Sequence, residues 1–95
     1  MAGFTTRPVI MGTRGVVTSG HYLATAAGFR IMEQGGNAID AAAAMCICLN
    51  LLEPQSNGIG GEVPTLLYSA RERKAVAISG MGWSPQAFTI DWCRD

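Results

Sequence analysis

One histidine, three cysteines and a few carboxylates are the residues of this 95-residue chain whose types could do chemistry. His21 stands where the β-branched run Gly15-Val16-Val17-Thr18-Ser19-Gly20 gives way to a helical pattern. No serine–aspartate pair and no cysteine sits at a spacing that would make it a general base, so a hydrogen-bonded junction role is expected. Asp40 and Glu62 are the candidate carboxylate pair. Nothing in their spacing brings them to the separation of about 5 to 10 Å that an acid and base partnership needs. Cys46 and Cys48 lie two apart, which on a helix turns them to different faces, and Cys93 is remote. With no histidine or fourth thiol at zinc spacing, neither a metal site nor a disulfide framework is expected, and a reduced cytoplasmic setting follows.

Two loops hold the remaining candidates. Gly58-Ile59-Gly60-Gly61 follows a helical pattern and precedes a strand pattern, whereas a dinucleotide-binding glycine loop follows a strand and opens a helix. A phosphate cradle is therefore not expected there. Gly58, Gly60 and Gly61 instead serve a structural loop that permits positive φ and close approach of a backbone or ligand. Gly80-Met81-Gly82-Trp83-Ser84-Pro85 places a large aromatic in a second loop, a setting that suits a pocket wall or lid.

The elements that must position these loops are readable from periodicity. His21 to Gln34 carries apolar Leu23, Ala26, Ala27 and Ile31 at helical spacing, and Gly35-Gly36 ends that helix. Asn37 is suited to cap a second helix, with Asp40 in its first turn favoured by the dipole. From Ala41 to Leu52 this second helix is apolar nearly all round, so it must be covered on most sides. Glu53-Pro54 stops it, because proline disfavours helical geometry in the residue before it. Pro64 to Ser69 and Lys74 to Ser79 read as strands joined by the polar turn Ala70-Arg71-Glu72-Arg73, with Pro64 opening the first. Gly15 to Gly20 reads as a further short strand, and Phe88 to Asp95 as the start of an element, a helix capped by Thr89. Residues 1–14 form a lead-in, and 15–95 one α/β (α+β) region in the order strand, helix, helix, strand, strand.

Composition limits the function classes. Seven Lys+Arg balance seven Asp+Glu, leaving nothing to neutralise a run of phosphates, so nucleic acid is a poor partner. Charged residues at 15% against 48% hydrophobic exclude a disordered tail. The low-charge window Ala41 to Leu52 is shorter than the roughly 20 residues of a membrane span, and no apolar leader with a cleavage site stands at the N-terminus. An oily helix and few large aromatics suit a piece of a larger core.

Taken in order, Gly15-Val16-Val17-Thr18-Ser19, Gly35-Gly36-Asn37-Ala38-Ile39-Asp40-Ala41-Ala42, Glu53-Pro54-Gln55-Ser56 leading into Gly58-Ile59-Gly60-Gly61, and the strand pair ending at Gly80 with Pro85 behind it resemble the gamma-glutamyltransferase family. The similarity is to the start of that family's large subunit and covers roughly residues 15 to 90. It implies an N-terminal-nucleophile hydrolase: two sheets between helical layers, made as a precursor that cuts itself into two subunits. A threonine freed at the new N-terminus would attack a gamma-glutamyl carbonyl, with its own α-amine as base and glycine amides stabilising the oxyanion. That threonine would lie outside this chain, which holds no catalytic residue of its own. No cofactor or metal is implied. The partners implied are the remainder of the precursor or a second subunit, and a small gamma-glutamyl or related amide.

Two departures from the family pattern bear on specificity. Typical members continue the glycine loop with more glycines and a phenylalanine, where this chain has Glu62-Val63-Pro64. Typical members also carry, after the second strand, an arginine that grips the substrate's α-carboxylate. Here Met81, Gly82, Trp83 and Ser84, the expected wall of the substrate pocket, include no cation, and none of them can replace a bidentate arginine. An acyl specificity different from that of typical members is therefore expected. The alternative from another class is a non-catalytic truncated product acting as an interaction module, a homodimer burying the Ala41 to Leu52 helix.

Overall fold

The computed structural model describes residues 8–94. The chain divides into two compact units, one running up to Glu53 and the other beginning at Pro54. The first holds helices α1 (Tyr22–Glu33) and α2 (Ala38–Leu52), and the second holds strands β1 (Thr65–Ser69) and β2 (Lys74–Ile78). The chain is thus a small α+β piece.

In the first unit α1 and α2 form an antiparallel helical hairpin. The turn between them is set by backbone bonds: the amide of Gly36 donates to Ile31 O (2.9 Å) and that of Gly35 to Met32 O (3.1 Å), a Schellman ending. Gly35 takes φ +93°, which side chains rarely adopt. Asn37 then caps α2, its side chain accepting from the amides of Ile39 (2.8 Å) and Asp40 (3.1 Å). The Asp40 carboxylate accepts in return from the Asn37 amide at 3.0 Å, closing a capping box. Replacing Asn37 with alanine leaves those donors unpaired, and a loss of about 1 kcal/mol is expected, read as a lower midpoint of thermal helix loss by circular dichroism.

Small residues let the helices approach. Ala24 (0% exposed) and Gly28 lie one turn apart on α1 and are buried, as is Ala41 (1%) on α2. A Cβ at Gly28 would stand 2.7 Å from Met45 Cγ and 3.3 Å from Ala41 O. The four-alanine run serves this contact with one of its faces only. The other side of α2 is open: Ile39, Ile47 and Leu51 are exposed, Leu51 by 83%. Covering a side chain of this size is worth about 1.5–3 kcal/mol, so an uncovered stripe of three is a considerable unrealised gain.

In the second unit β1 and β2 pair antiparallel with Thr65 opposite Ile78 and Ser69 opposite Lys74. The turn is the expected Ala70–Arg73 segment, with Arg73 at φ 54° and the Glu72 amide donating to Ser69 Oγ at 3.2 Å. Pro64 stands just before β1, where its missing N–H costs no ladder bond. Leu67 faces Val76 on the half-buried side, while Leu66 and Tyr68 on the other side are exposed. A lone two-stranded hairpin is marginal in water, so this one gains most of its stability from whatever covers it.

Two expected elements are corrected. Gly15 to Gly20 is not a strand: residues 15–19 have no regular structure, because among the described residues no neighbouring segment forms a ladder with them. Residues 90–94 form a turn rather than a helix. Thr89 does behave as a cap, its Oγ1 accepting from the Trp92 amide at 3.3 Å, but only Cys93 N–H to Thr89 O (3.2 Å) follows at helical spacing. A single such bond does not propagate a helix. Of the 1–14 lead-in, residues 1–7 lie outside the described residues, as does Asp95, and 8–14 carry no helix or strand.

Candidate functional site

The second unit brings together the two loops that the sequence singles out. The antiparallel register does not stop at Thr65 and Ile78; the Val63 amide donates to Gly80 O at 2.7 Å, two residues further along. Gly80 is required there, because a Cβ on it would fall 2.1 Å from Val63 O. Glu62 and Met81 consequently leave the hairpin as neighbours, one heading into the glycine loop and the other into the 81–84 loop. The glycine loop is a turn closed by the Gly61 amide on Gly58 O (3.2 Å), with Gly60 at φ +85°. At Gly58 and Gly60 an added Cβ would meet nothing within 4 Å, so these glycines are selected by backbone shape at Gly60 and not by crowding.

The side chains at this end are mostly apolar and open. Ile59 is 98% exposed and Trp83 96%, with Val63 and Met81 about half exposed. Gly82 is open as well, and Ser84 is exposed. The hairpin's cations, Arg71, Arg73 and Lys74, sit at its opposite end, and Lys74 is paired with Glu72 at 2.8 Å. Arg94 lies 3.9 Å from Asp91 within the C-terminal turn. The paired loops thus carry one charge of their own, the Glu62 carboxylate.

The first unit places His21 as the N-cap of α1. Its Nδ1 accepts from the Leu23 amide at 3.2 Å and its ring stacks on Tyr22 with centroids 4.7 Å apart. Its carbonyl accepts from Ser19 Oγ (2.9 Å), the Thr25 amide (3.0 Å) and Thr25 Oγ1 (3.3 Å), and the two hydroxyls lie 2.7 Å apart. Ser19, Thr25 and His21 are therefore occupied in starting a helix. The serine and threonine roles were not visible in the sequence, although a hydroxyl residue four positions past a junction is the signal that finds them. Beside this junction runs an apolar groove of about 480 Å³ between the 10–17 segment and α1, lined by Ile10, Met11, Val16, Tyr22, Ala26 and Phe29 among others. Asp40 is engaged in the α2 capping box, whereas Glu62 belongs to the other unit. Cys46 and Cys93 are exposed and Cys48 is half-buried. Among the described residues no three His, Cys, Asp or Glu side chains gather as a metal site would require, and no helix is long and apolar enough to cross a membrane.

Set against known proteins, the blocks that frame these loops have clear counterparts. Residues 24–95 match the family model described as gamma-glutamyltranspeptidase. The chain is 43% identical over 83 residues to the glutathione hydrolase-like YwrD proenzyme of Bacillus subtilis (strain 168), covering 86% of this chain and 16% of that protein. It is 35% identical over 89 residues to the glutathione hydrolase proenzyme of Bacillus subtilis subsp. natto, covering 94% of this chain and 15% of the relative. To the acylase ACY 1 proenzyme of Pseudomonas sp. (strain V22) it is 40% identical over 81 residues, 84% of this chain and 14% of that one. These three relatives are named as a hydrolase-like protein, a hydrolase and an acylase, each as a proenzyme. The chain belongs to the gamma-glutamyltranspeptidase family. It spans about a sixth of the length of the relatives it matches.

Proposed function

We propose that this chain is the leading segment of a self-processing, threonine-nucleophile hydrolase or acyltransferase of the N-terminal-nucleophile type, with an acyl specificity shifted away from gamma-glutamyl donors. The family match over residues 24–95 supports the first part of this reading. The cation-free 81–84 loop supports the second, and the similarity to a protein named as an acylase is in keeping with it. In this reading the chain supplies helices, a sheet element and, through Met81, Gly82, Trp83 and Ser84, one wall of the substrate pocket. The nucleophile comes from the rest of the precursor. Its Oγ adds to the amide carbonyl, the proton passes through the α-amine to the departing amine, and an acyl ester remains. Water or an amino acid then takes the acyl group and regenerates the hydroxyl. The open stripe of α2 is a surface for the same remainder, and the setting is the cytoplasm.

A mass spectrum of the purified precursor tests the processing step: two fragments are expected, and one intact chain would remove the enzymatic reading. The specificity is tested with gamma-glutamyl-p-nitroanilide. Loss of a buried arginine–carboxylate contact is worth about 2 to 5 kcal/mol, or roughly 30- to 4,000-fold. The processed enzyme is expected to fall below an arginine-bearing relative in kcat/KM by a factor in that range. Equal turnover would refute the shift.

A further inference from the structure

We infer that the acyl group received beside the two paired loops is apolar and carries no carboxylate, with Trp83 the surface it packs against and Glu62 the group that turns anionic acyl chains away. The inference rests on the reading above that the 81–84 loop walls the substrate pocket, and it adds the substrate class. It is carried by a juxtaposition that only the fold shows. The Val63–Gly80 bond of 2.7 Å delivers Glu62 and Met81 to the same end of the hairpin, next to a glycine turn with its backbone open. An exposed indole and the side chains of Ile59, Val63 and Met81 make that end apolar.

Charge at this end disfavours a carboxylate. The cations of the turn are separated from it by five paired residues, about 16 Å at roughly 3.3 Å per residue. That is about twice the screening length of near 8 Å at physiological ionic strength, so they do not offset Glu62. A carboxylate on the acyl chain would meet a like charge and, within these two loops, no cation to pair with it. A flat apolar group would meet an indole face, which rewards large hydrophobic and aromatic partners through burial and ring offset contact.

The test uses the self-processed precursor with three p-nitroanilides: phenylacetyl (apolar, neutral), glutaryl (anionic) and gamma-glutamyl. The phenylacetyl donor is expected to exceed glutaryl in kcat/KM by at least about tenfold. Trp83→Ala is expected to lower the phenylacetyl-to-glutaryl ratio about tenfold through loss of the aromatic contact. Glu62→Gln is expected to lower the same ratio about threefold by relieving the repulsion of glutaryl. Faster turnover of glutaryl or gamma-glutamyl, a ratio unmoved in Trp83→Ala, or a self-cleaved enzyme that hydrolyses none of the three would each overturn the inference while leaving the processing reading intact. A precursor that does not cleave itself would overturn both.

Discussion

Gly80→Ala is expected to open the base of the β-hairpin. The new Cβ would lie 2.1 Å from Val63 O and 2.7 Å from Val63 C, and these are backbone atoms that cannot rotate aside. Either the Val63–Gly80 bond breaks or the strand shifts, and overpacking of this kind costs about 1–3 kcal/mol and sometimes more. In hydrogen exchange the Val63 amide should lose its protection, while the amides between Leu67 and Val76 keep theirs. Gly82→Ala is the matched control. Nothing stands within 4 Å of its added Cβ, so a change within about 0.5 kcal/mol is expected. If both variants behave alike, the closure of the two loops by Val63 and Gly80 is not what holds them together.

Ala24→Leu should be comparably damaging in the helical unit. Ala24 has no exposed surface and shares a face of α1 with Gly28, where α2 comes close enough for its Ala41 carbonyl to stand 3.3 Å from a built Cβ. Three extra carbons at that contact force the helices apart, and about 1–3 kcal/mol of destabilisation is expected. Leu51→Ala, on the exposed stripe of the same hairpin, should change the isolated chain little. Within the precursor, burial of that stripe would make the same change costly, at about 2–5 kcal/mol for a core leucine. Comparing melting midpoints of the two forms separates a contact made inside the hairpin from one made with a covering partner.

Much of this architecture is legible in the sequence because local rules decide it. Asn37 with Asp40, Gly35-Gly36 and Glu53-Pro54 punctuate the helices within a residue of their observed ends, since caps depend on neighbours three or four positions away. The hairpin is equally local, and its four-residue turn lies where the polar run is. What fails is what needs a distant partner. Val16, Val17 and Thr18 have strand character, yet a strand exists only where another segment accepts its bonds, and side-chain type carries no news of that segment. The candidate site is intermediate. Both loops stand out by composition, but their meeting depends on the ladder continuing past Pro64 to Val63, which a proline at the strand's edge hides. His21 is also half legible: its place at a junction is plain, whereas the imidazole acting as a cap acceptor is a matter of rotamer.

The uncovered stripe of α2 has a consequence for biosynthesis. Ile39, Ile47 and Leu51 point outward from a helix whose caps and hairpin partner all lie within its own unit, so this surface takes shape as soon as those residues leave the ribosome. For as long as nothing lies over it, the nascent polypeptide presents a greasy ridge to its crowded surroundings. Slow translation or heat lengthens that interval and favours clumping, and chaperones that hold emerging chains shorten the risk.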